Sequence, residues 1–158
     1  PEDKVIAYSQ WTSMIDLMQI LLRKSGFESL RYDGQMKREE REETLSRFKK
    51  QGGPKILLIS LKCGGVGLNL TEANRVVCMD LAWNAATENQ AIDRAHRMGQ
   101  VKPVAVKRLA IKDTIEERIL KLQADKQNLS DAALGEGNGT KMPRMNVAQL
   151  KMLFGLAK

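Results

Sequence analysis

Three short, uniformly apolar runs separated by helical segments constrain the fold of this chain more than any other feature. They are Val5–Ser9, Ile56–Ile59 and Val76–Met79. A strand that faces water on one side alternates apolar and polar residues, whereas a strand of a parallel sheet covered on both faces is apolar throughout. The sequence therefore predicts an α/β fold, a mostly parallel sheet with helices on both faces. Glu28–Tyr32 and Val104–Ile111 are predicted as further strands.

Apolar residues at helical spacing predict the helices between these strands. In the first helix they are Trp11, Met14, Ile15, Met18 and Leu22. Residues 36–50 form a charged helix whose alternating signs indicate a solvated face. Asp113–Glu116 is similar to a capping box and opens a long helix that runs to about Asp131. We expect Tyr8 and Trp11 to lie in the core.

The pattern divides the chain into a lobe over residues 1–112, a single helix over 113–133 and a tail over 134–158. The glycines of Gly135–Gly139 predict a flexible start to the tail. The tail is basic, since residues 141–158 carry four lysines and arginines and no acidic residue. Within it, Val147–Phe154 can form a short amphipathic helix.

Composition and charge narrow the class of protein. The chain has 158 residues, 42% of them hydrophobic and 28% charged, which is typical of a soluble globular domain, and no run is long enough to cross a bilayer. The absence of an initial methionine predicts a piece of a longer protein. Its two cysteines fit no metal spacing and indicate reduced thiols, so we expect no metal site. The net charge is +7, of which +6 follows residue 53, and this excess favours a polyanionic partner.

The segment Gln90–Gln100 carries the most chemistry. If it is helical, Gln90, Arg94 and Arg97 share one face, and Gly99 ends the helix. Two guanidinium groups aimed the same way suit the charge of a phosphoryl group in transfer. The alternative is a solvated helix with an internal Asp93–Arg97 pair, and spacing alone leaves both interpretations open.

A glycine-rich loop follows the strand that ends at Ser60. Gly64, Gly65 and Gly67 allow close approach of the backbone to a ligand, and successive amides can form an anion-binding nest. The spacing fits neither a dinucleotide-binding fingerprint nor a P-loop. A plain tight turn is the alternative.

Three further residues have both a functional and a structural interpretation. Trp83, between a strand and a helix, either stacks near DNA or packs on the protein. Ser9 and Gln10, at a strand end, either donate to phosphate oxygens or cap the following helix. The single histidine, His96, is assigned a structural role because the arginines beside it disfavour its protonation.

Five segments, in this order and spacing, resemble motifs of the Swi/Snf family of helicase-like ATPases of superfamily two. Lys4–Gln10 is similar to motif IV, Arg31–Gly34 to the block after the next strand, and Ser60–Leu70 to motif V. Ala82–Asn84 resembles the tryptophan-asparagine element, and Gln90–Gln100 resembles motif VI. The resemblance covers about residues 4 to 125. It leans towards the branch that contains the helicase-like transcription factor and its fungal DNA-repair relatives.

The resemblance implies a RecA-like lobe, the second of two, that completes an ATPase active site. Arg94 and Arg97 are expected to contact the γ-phosphate of ATP while Gln90 helps to sense it, and Gly67 and Asn69 lie near the nucleotide. The expected contacts with the DNA backbone come from Ser9, Gln10, Ser60, Lys62, Gly64, Gly65 and Trp83. The helix over 113–133 braces this lobe against the first.

No Gly-Lys-Ser/Thr P-loop and no Asp-Glu-x-His block occurs in the chain. In the resembled family both belong to the first lobe, which binds most of the ATP and the Mg²⁺, so this chain alone is expected to be inactive. The partners that the resemblance implies are double-stranded DNA, nucleosomes or other protein–DNA complexes, and the first lobe of the same polypeptide. It also implies a nuclear location and no association with a membrane. The alternatives are a non-catalytic module that binds DNA or protein, and a lobe of an RNA helicase.

Overall fold

A computed structural model describes residues 3–63, 67–134 and 147–155. The chain forms two compact units, residues 1–109 and residues 110–158. In the described residues no helix has both the length and the apolar character needed to cross a membrane.

The first unit is built on a sheet of five parallel strands in the order β2-β3-β1-β4-β5. The strands are β1 Val5–Ser9, β2 Ser29–Tyr32, β3 Ile56–Ser60, β4 Arg75–Cys78 and β5 Ala105–Arg108. The three apolar runs of the sequence form the adjacent strands β3, β1 and β4 at the centre of the sheet. The predicted parallel sheet is confirmed.

Helices cover both faces of the sheet. They are α1 Thr12–Lys24, α2 Arg38–Lys49 and α3 Ala85–Ile92. On one face Ile15 of α1 packs against Ala7 and Leu58. On the other, Phe48 of α2 and Ala91 of α3 join a larger cluster. Neighbouring residues of a strand point to opposite faces, so each central strand contributes to both layers.

Two features of the first unit differ from the prediction. Trp11 is 62% exposed, so its assignment to the core is wrong, whereas Tyr8 is fully buried as predicted. Trp11 immediately precedes α1, and the first buried side chain of that helix is Ile15. The strand predicted over Val104–Ile111 is also shorter, since β5 has four residues. All four are exposed, and β5 is an edge strand with only β4 beside it.

The second unit contains two helices, α4 Ile115–Leu134 and α5 Val147–Leu153, which contact each other. Thr114 begins α4: its hydroxyl donates to the Ile111 carbonyl at 2.7 Å and accepts from the Glu116 amide at 3.2 Å. The Glu116 carboxylate in turn accepts from the amide of Ile111 at 2.6 Å. The rest of the predicted tail, residues 135–146 and 156–158, lies outside the described residues.

Candidate nucleotide and nucleic-acid interface

The predicted DNA-contacting residues follow strands that are neighbours in the sheet. Ser9 ends β1 and Gln10 follows it, Ser60 ends β3, and Trp83 follows β4. The carboxyl ends of parallel strands meet at one edge of a sheet, and ligands of open α/β folds bind there. The topology therefore brings residues from three separate motifs to one edge.

Asp80 ties two of these loops together. Its carboxylate accepts hydrogen bonds from the Ser9 hydroxyl and from the Gln10 backbone amide, the latter at 2.9 Å. The Gln10 side-chain amide donates to the Leu81 carbonyl at 2.6 Å. Ser9 has no exposed surface. Both predicted phosphate donors are thus engaged in holding the edge together, and their contact with DNA stays a prediction.

Ser9 also does not cap α1. Its hydroxyl accepts from the Trp11 amide at 3.0 Å, but the cap position of the helix is Trp11, which supplies no side-chain cap. The Ser9 bond therefore fixes the turn between β1 and α1.

The segment after β3 is described on both sides of the glycine loop. Ser60 is nearly buried, and Lys62, in a short 3₁₀ turn over Leu61–Cys63, is exposed. Gly64 and Gly65 lie outside the described residues. Gly67 has a φ of +30°, a conformation that favours glycine.

Asn69 is the other residue predicted to lie near the nucleotide. It is exposed, and its side-chain oxygen accepts from the Thr71 amide at 3.4 Å.

Trp83 is half exposed and stands on a firmly held turn. On one side, the Ala82 amide donates at 2.6 Å to Glu88, a fully buried carboxylate of α3 that also pairs with Arg108 of β5 at 2.9 Å. On the other, Asn84 caps α3 by accepting from the Ala86 amide at 3.0 Å. A large aromatic ring is therefore presented to solvent by fixed backbone.

The segment Gln90–Gln100 is not one continuous helix, so the condition for a shared helical face is not met. Helix α3 ends at Ile92, so Gln90 is on the helix while Arg94 and Arg97 lie in the turns that follow, and the three share no helical face. Gln90 and Arg97 are exposed and Arg94 is half-buried. Gly99, with a φ of +101°, belongs to a later turn and does not end the helix.

Backbone bonds to another segment explain the early end of α3. The Arg94 carbonyl accepts from the Leu70 amide at 3.0 Å and so leaves the helical pattern. Residue Leu70 belongs to the stretch that follows the glycine loop. Motif V and motif VI are thus joined through their backbones.

Gln100 holds the far end of the same turns. Its side-chain amide donates to the carbonyls of Thr71, Ala73 and Ala95, at 3.0, 2.8 and 3.2 Å, and its oxygen accepts from the Lys102 amide at 2.9 Å. Sequence reasoning missed Gln100, Asp80 and Glu88. A glutamine or carboxylate in a loop carries no local signal of the distant partners that give it a role.

Arg97 lines a surface cavity of about 280 Å³. The polar side chains that share it are His96, Gln100 and Lys102, with no carboxylate among the lining residues. This donor set suits an anion. For a metal ion the situation differs: in the described part of the chain no group of three His, Cys, Asp or Glu side chains could bind one.

Burial suppresses the acid–base chemistry of the groups beneath this edge. The Tyr8 hydroxyl donates to the Ala91 carbonyl at 3.0 Å, and burial raises the pKa of Tyr8. Burial, with the nearby Glu88 carboxylate, raises the pKa of the Cys78 thiol to about 11. Cys63, which ends the 3₁₀ turn, has a pKa raised chiefly by burial. These three groups are structural.

Together the sheet and its helices define a RecA-like lobe. The helicase conserved C-terminal domain family matches residues 1–99, and the chain belongs to this family as a C-terminal lobe of the Swi/Snf type. The crystal structure of the C-terminal part of the Fun30 ATPase domain superposes with a TM-score of 0.74 and 36% sequence identity, over 77% of this chain and 39% of that one.

Curated relatives match nearly the whole chain. The DNA repair protein RAD5 of Cryptococcus neoformans is 50% identical over 157 residues, which is 99% of this chain and 13% of that protein. The helicase-like transcription factor of Homo sapiens is 41% identical over 160 residues, 99% of this chain and 16% of that protein. The chain thus spans a small part of the length of each relative.

Proposed function

We propose that this lobe belongs to a DNA-dependent ATPase that translocates on double-stranded DNA and remodels chromatin or repair and replication intermediates in the nucleus. ATP is the substrate and binds between this lobe and a first lobe. Arg94 and Arg97 stabilise the γ-phosphate as charge builds up in transfer, and Gln90 senses it. An arginine supplied from a second lobe or partner is worth roughly 10³–10⁵ in rate.

The backbone bond between the Leu70 amide and the Arg94 carbonyl carries this proposal. It joins the segment after the glycine loop, a predicted DNA contact, to the segment that holds the arginines. A shift of either segment on binding its ligand is transmitted to the other without a flexible intermediate. Coupling of this kind is what a DNA-stimulated ATPase requires.

The DNA side of the proposal uses the carboxyl edge of the sheet. Lys62, the glycine loop at Gly64 and Gly65, and Trp83 contact the DNA backbone, while Ser9 and Ser60 support the loops that present them. The burial of Ser9 and Ser60 favours this division of roles. Mg²⁺ would be held mainly by the first lobe, where it would neutralise phosphate charge.

The test is Arg97→Ala in a protein that contains both lobes. We expect ATP hydrolysis to fall by about 10³-fold or more, while affinity for duplex DNA changes little. Arg38→Ala is the matched control, because Arg38 is an exposed arginine on α2 whose ion pair, among the described residues, is with Glu42 at 2.8 Å. Equal loss of hydrolysis and DNA binding in Arg97→Ala would contradict the assignment.

A further inference from the structure

Helix α1 exposes an apolar side in addition to its buried one. Leu17, Ile20 and Leu21 are 58%, 42% and 56% exposed, and their spacing of three and four places them on one face. The core-facing side of the same helix carries Ile15, which is fully buried. The helix is therefore apolar on two sides, and packing within the first unit accounts for only one of them.

The exposed face meets a groove at Ile20. After Gly26, whose φ is +79°, the Phe27 amide donates to the Leu22 carbonyl at 2.8 Å and turns the chain back along the helix. Phe27 is 58% exposed, and with Ile20 it lines a cavity of about 500 Å³. We call Leu17, Ile20, Leu21 and Phe27 the α1 patch.

The carboxylates beside the α1 patch are already neutralised within the protein. Asp16 pairs with Arg31, and Glu28 pairs with Arg47 at 3.0 Å. Both carboxylates line the groove. Neither is therefore an uncompensated negative charge facing an incoming partner.

The basic side chains beside the α1 patch are not neutralised in this way. Arg23 and Lys24, in the last turn of α1, are exposed, and in the described part of the chain neither forms an ion pair. Arg23 also lines the groove. The uncompensated charge at the rim of the α1 patch is positive.

We propose that the α1 patch is a docking surface for an acidic amphipathic helix of a partner protein. Such a helix places apolar side chains at three- and four-residue spacing against the patch and its carboxylates against Arg23 and Lys24. A second copy of this chain fits less well, because a two-fold contact would bring the same basic rim from both copies together. The surface is independent of the ATPase proposed above.

The probe is a synthetic helical peptide with leucines along one face and glutamates elsewhere, titrated by fluorescence anisotropy against the whole 158-residue chain. A second peptide has the same leucines and lysines in place of the glutamates. We expect the acidic peptide to bind about 10-fold more tightly or better. Equal affinity of the two peptides would overturn the proposal, and so would tighter binding of the basic one.

Variants locate the binding. Leu17→Ser with Leu21→Ser should weaken the acidic peptide by about 10-fold, since apolar contacts are lost from exposed positions that the fold does not need. Arg23→Glu with Lys24→Glu should reverse the preference between the peptides. Leu109→Ser, at a 52% exposed leucine outside the α1 patch, is the matched control and should change nothing.

Self-association gives a separate outcome. Sedimentation of the chain should show no dimer that depends on Leu17 and Leu21. A dimer abolished by the replacement of Leu17 and Leu21 would identify a second copy as the occupant and overturn the proposal. The proposal would also be overturned if these replacements reduced binding to duplex DNA and left binding of the acidic peptide unchanged.

Discussion

Buried carboxylates fix the exposed side chains of the candidate site. Asp80 joins the end of β1 to the segment after β4, and Glu88 holds the turn that presents Trp83. A buried carboxylate without partners is costly, so each persists only because backbone amides and polar side chains surround it. The residues that would touch DNA are thus positioned by residues that would not.

Trp83 provides a direct test at the residue scale. In a two-lobe protein, Trp83→Ala should weaken binding to duplex DNA by about 1–3 kcal/mol, because a ring that stacks on DNA is lost. Phe27→Ala is the control, since Phe27 is also exposed, at 58% against 50% for Trp83, but precedes β2 at the amino-terminal edge of the sheet. Binding is measured by anisotropy of a labelled duplex. An equal loss in both variants would indicate a nonspecific effect of removing an exposed aromatic ring.

Asp33, at the end of β2, makes stability sensitive to acid. Burial acts to raise the pKa of this carboxyl, but hydrogen bonds from Arg31 and from the Gln35 amide, the latter at 2.9 Å, outweigh it and hold the pKa below its ordinary 3.8. A carboxyl with a depressed folded pKa stabilises the protein above its unfolded pKa. That contribution is lost as the pH falls through the folded pKa.

We therefore expect the free energy of unfolding to be higher for the wild type than for Asp33→Asn at neutral pH. The gap should narrow as the pH falls below about 4. Urea unfolding at a series of pH values measures it. Glu39→Gln, on the exposed face of α2, is the control. A gap that stays constant down to the lowest pH would show that the ionised form of Asp33 does not stabilise the fold.

At the scale of elements, the local pattern predicted what local interactions determine. The central strands β1, β3 and β4 were predictable because burial on both faces makes a strand apolar along its whole length. The end of α3 at Ile92 was not, because the bonds that replace the helical pattern come from Leu70 and Gln100, which are distant or outside the helix. The roles of Arg94 and Arg97 stay predictions, and both residues lie in turns after α3 and share no helical face with Gln90.

Gln100 allows the strength of that junction to be measured. Gln100→Glu replaces a donor by a carboxylate that faces the carbonyls of Thr71, Ala73 and Ala95, so we expect a loss of about 1–3 kcal/mol in the free energy of unfolding. Urea denaturation checks it. Gln51→Glu, at an exposed position, is the matched control. Equal stability of the two variants would mean that the Gln100 bonds do not hold the turns.

At the scale of the molecule, the net positive charge allows DNA binding to be tested on this chain without a first lobe. The net charge is +7, and +6 of it follows residue 53, in the part that contains the glycine loop and Trp83. The uneven distribution of charge could be predicted from the sequence. The α1 patch could not, because Leu17, Ile20 and Leu21 differ from core residues only in their position in the fold.

The chain should bind duplex DNA with an affinity that falls steeply as salt rises, because bound cations are released from the phosphates. In a two-lobe protein, duplex DNA should stimulate ATP hydrolysis more than RNA does. Titration at several salt concentrations and an ATPase assay with each nucleic acid check the two parts. Better stimulation by RNA would favour an RNA helicase lobe.

The position of β1 has a consequence for how the lobe is made. This strand comes first in the chain yet lies in the middle of the sheet, with its pairing partners β3 and β4 about 50 and 70 residues later. A ribosome therefore releases the central strand long before either neighbour exists, and assembly must wait for distant segments to return to it. Until then an apolar segment is unprotected in the growing polypeptide, which is the stage at which chaperone capture would matter most.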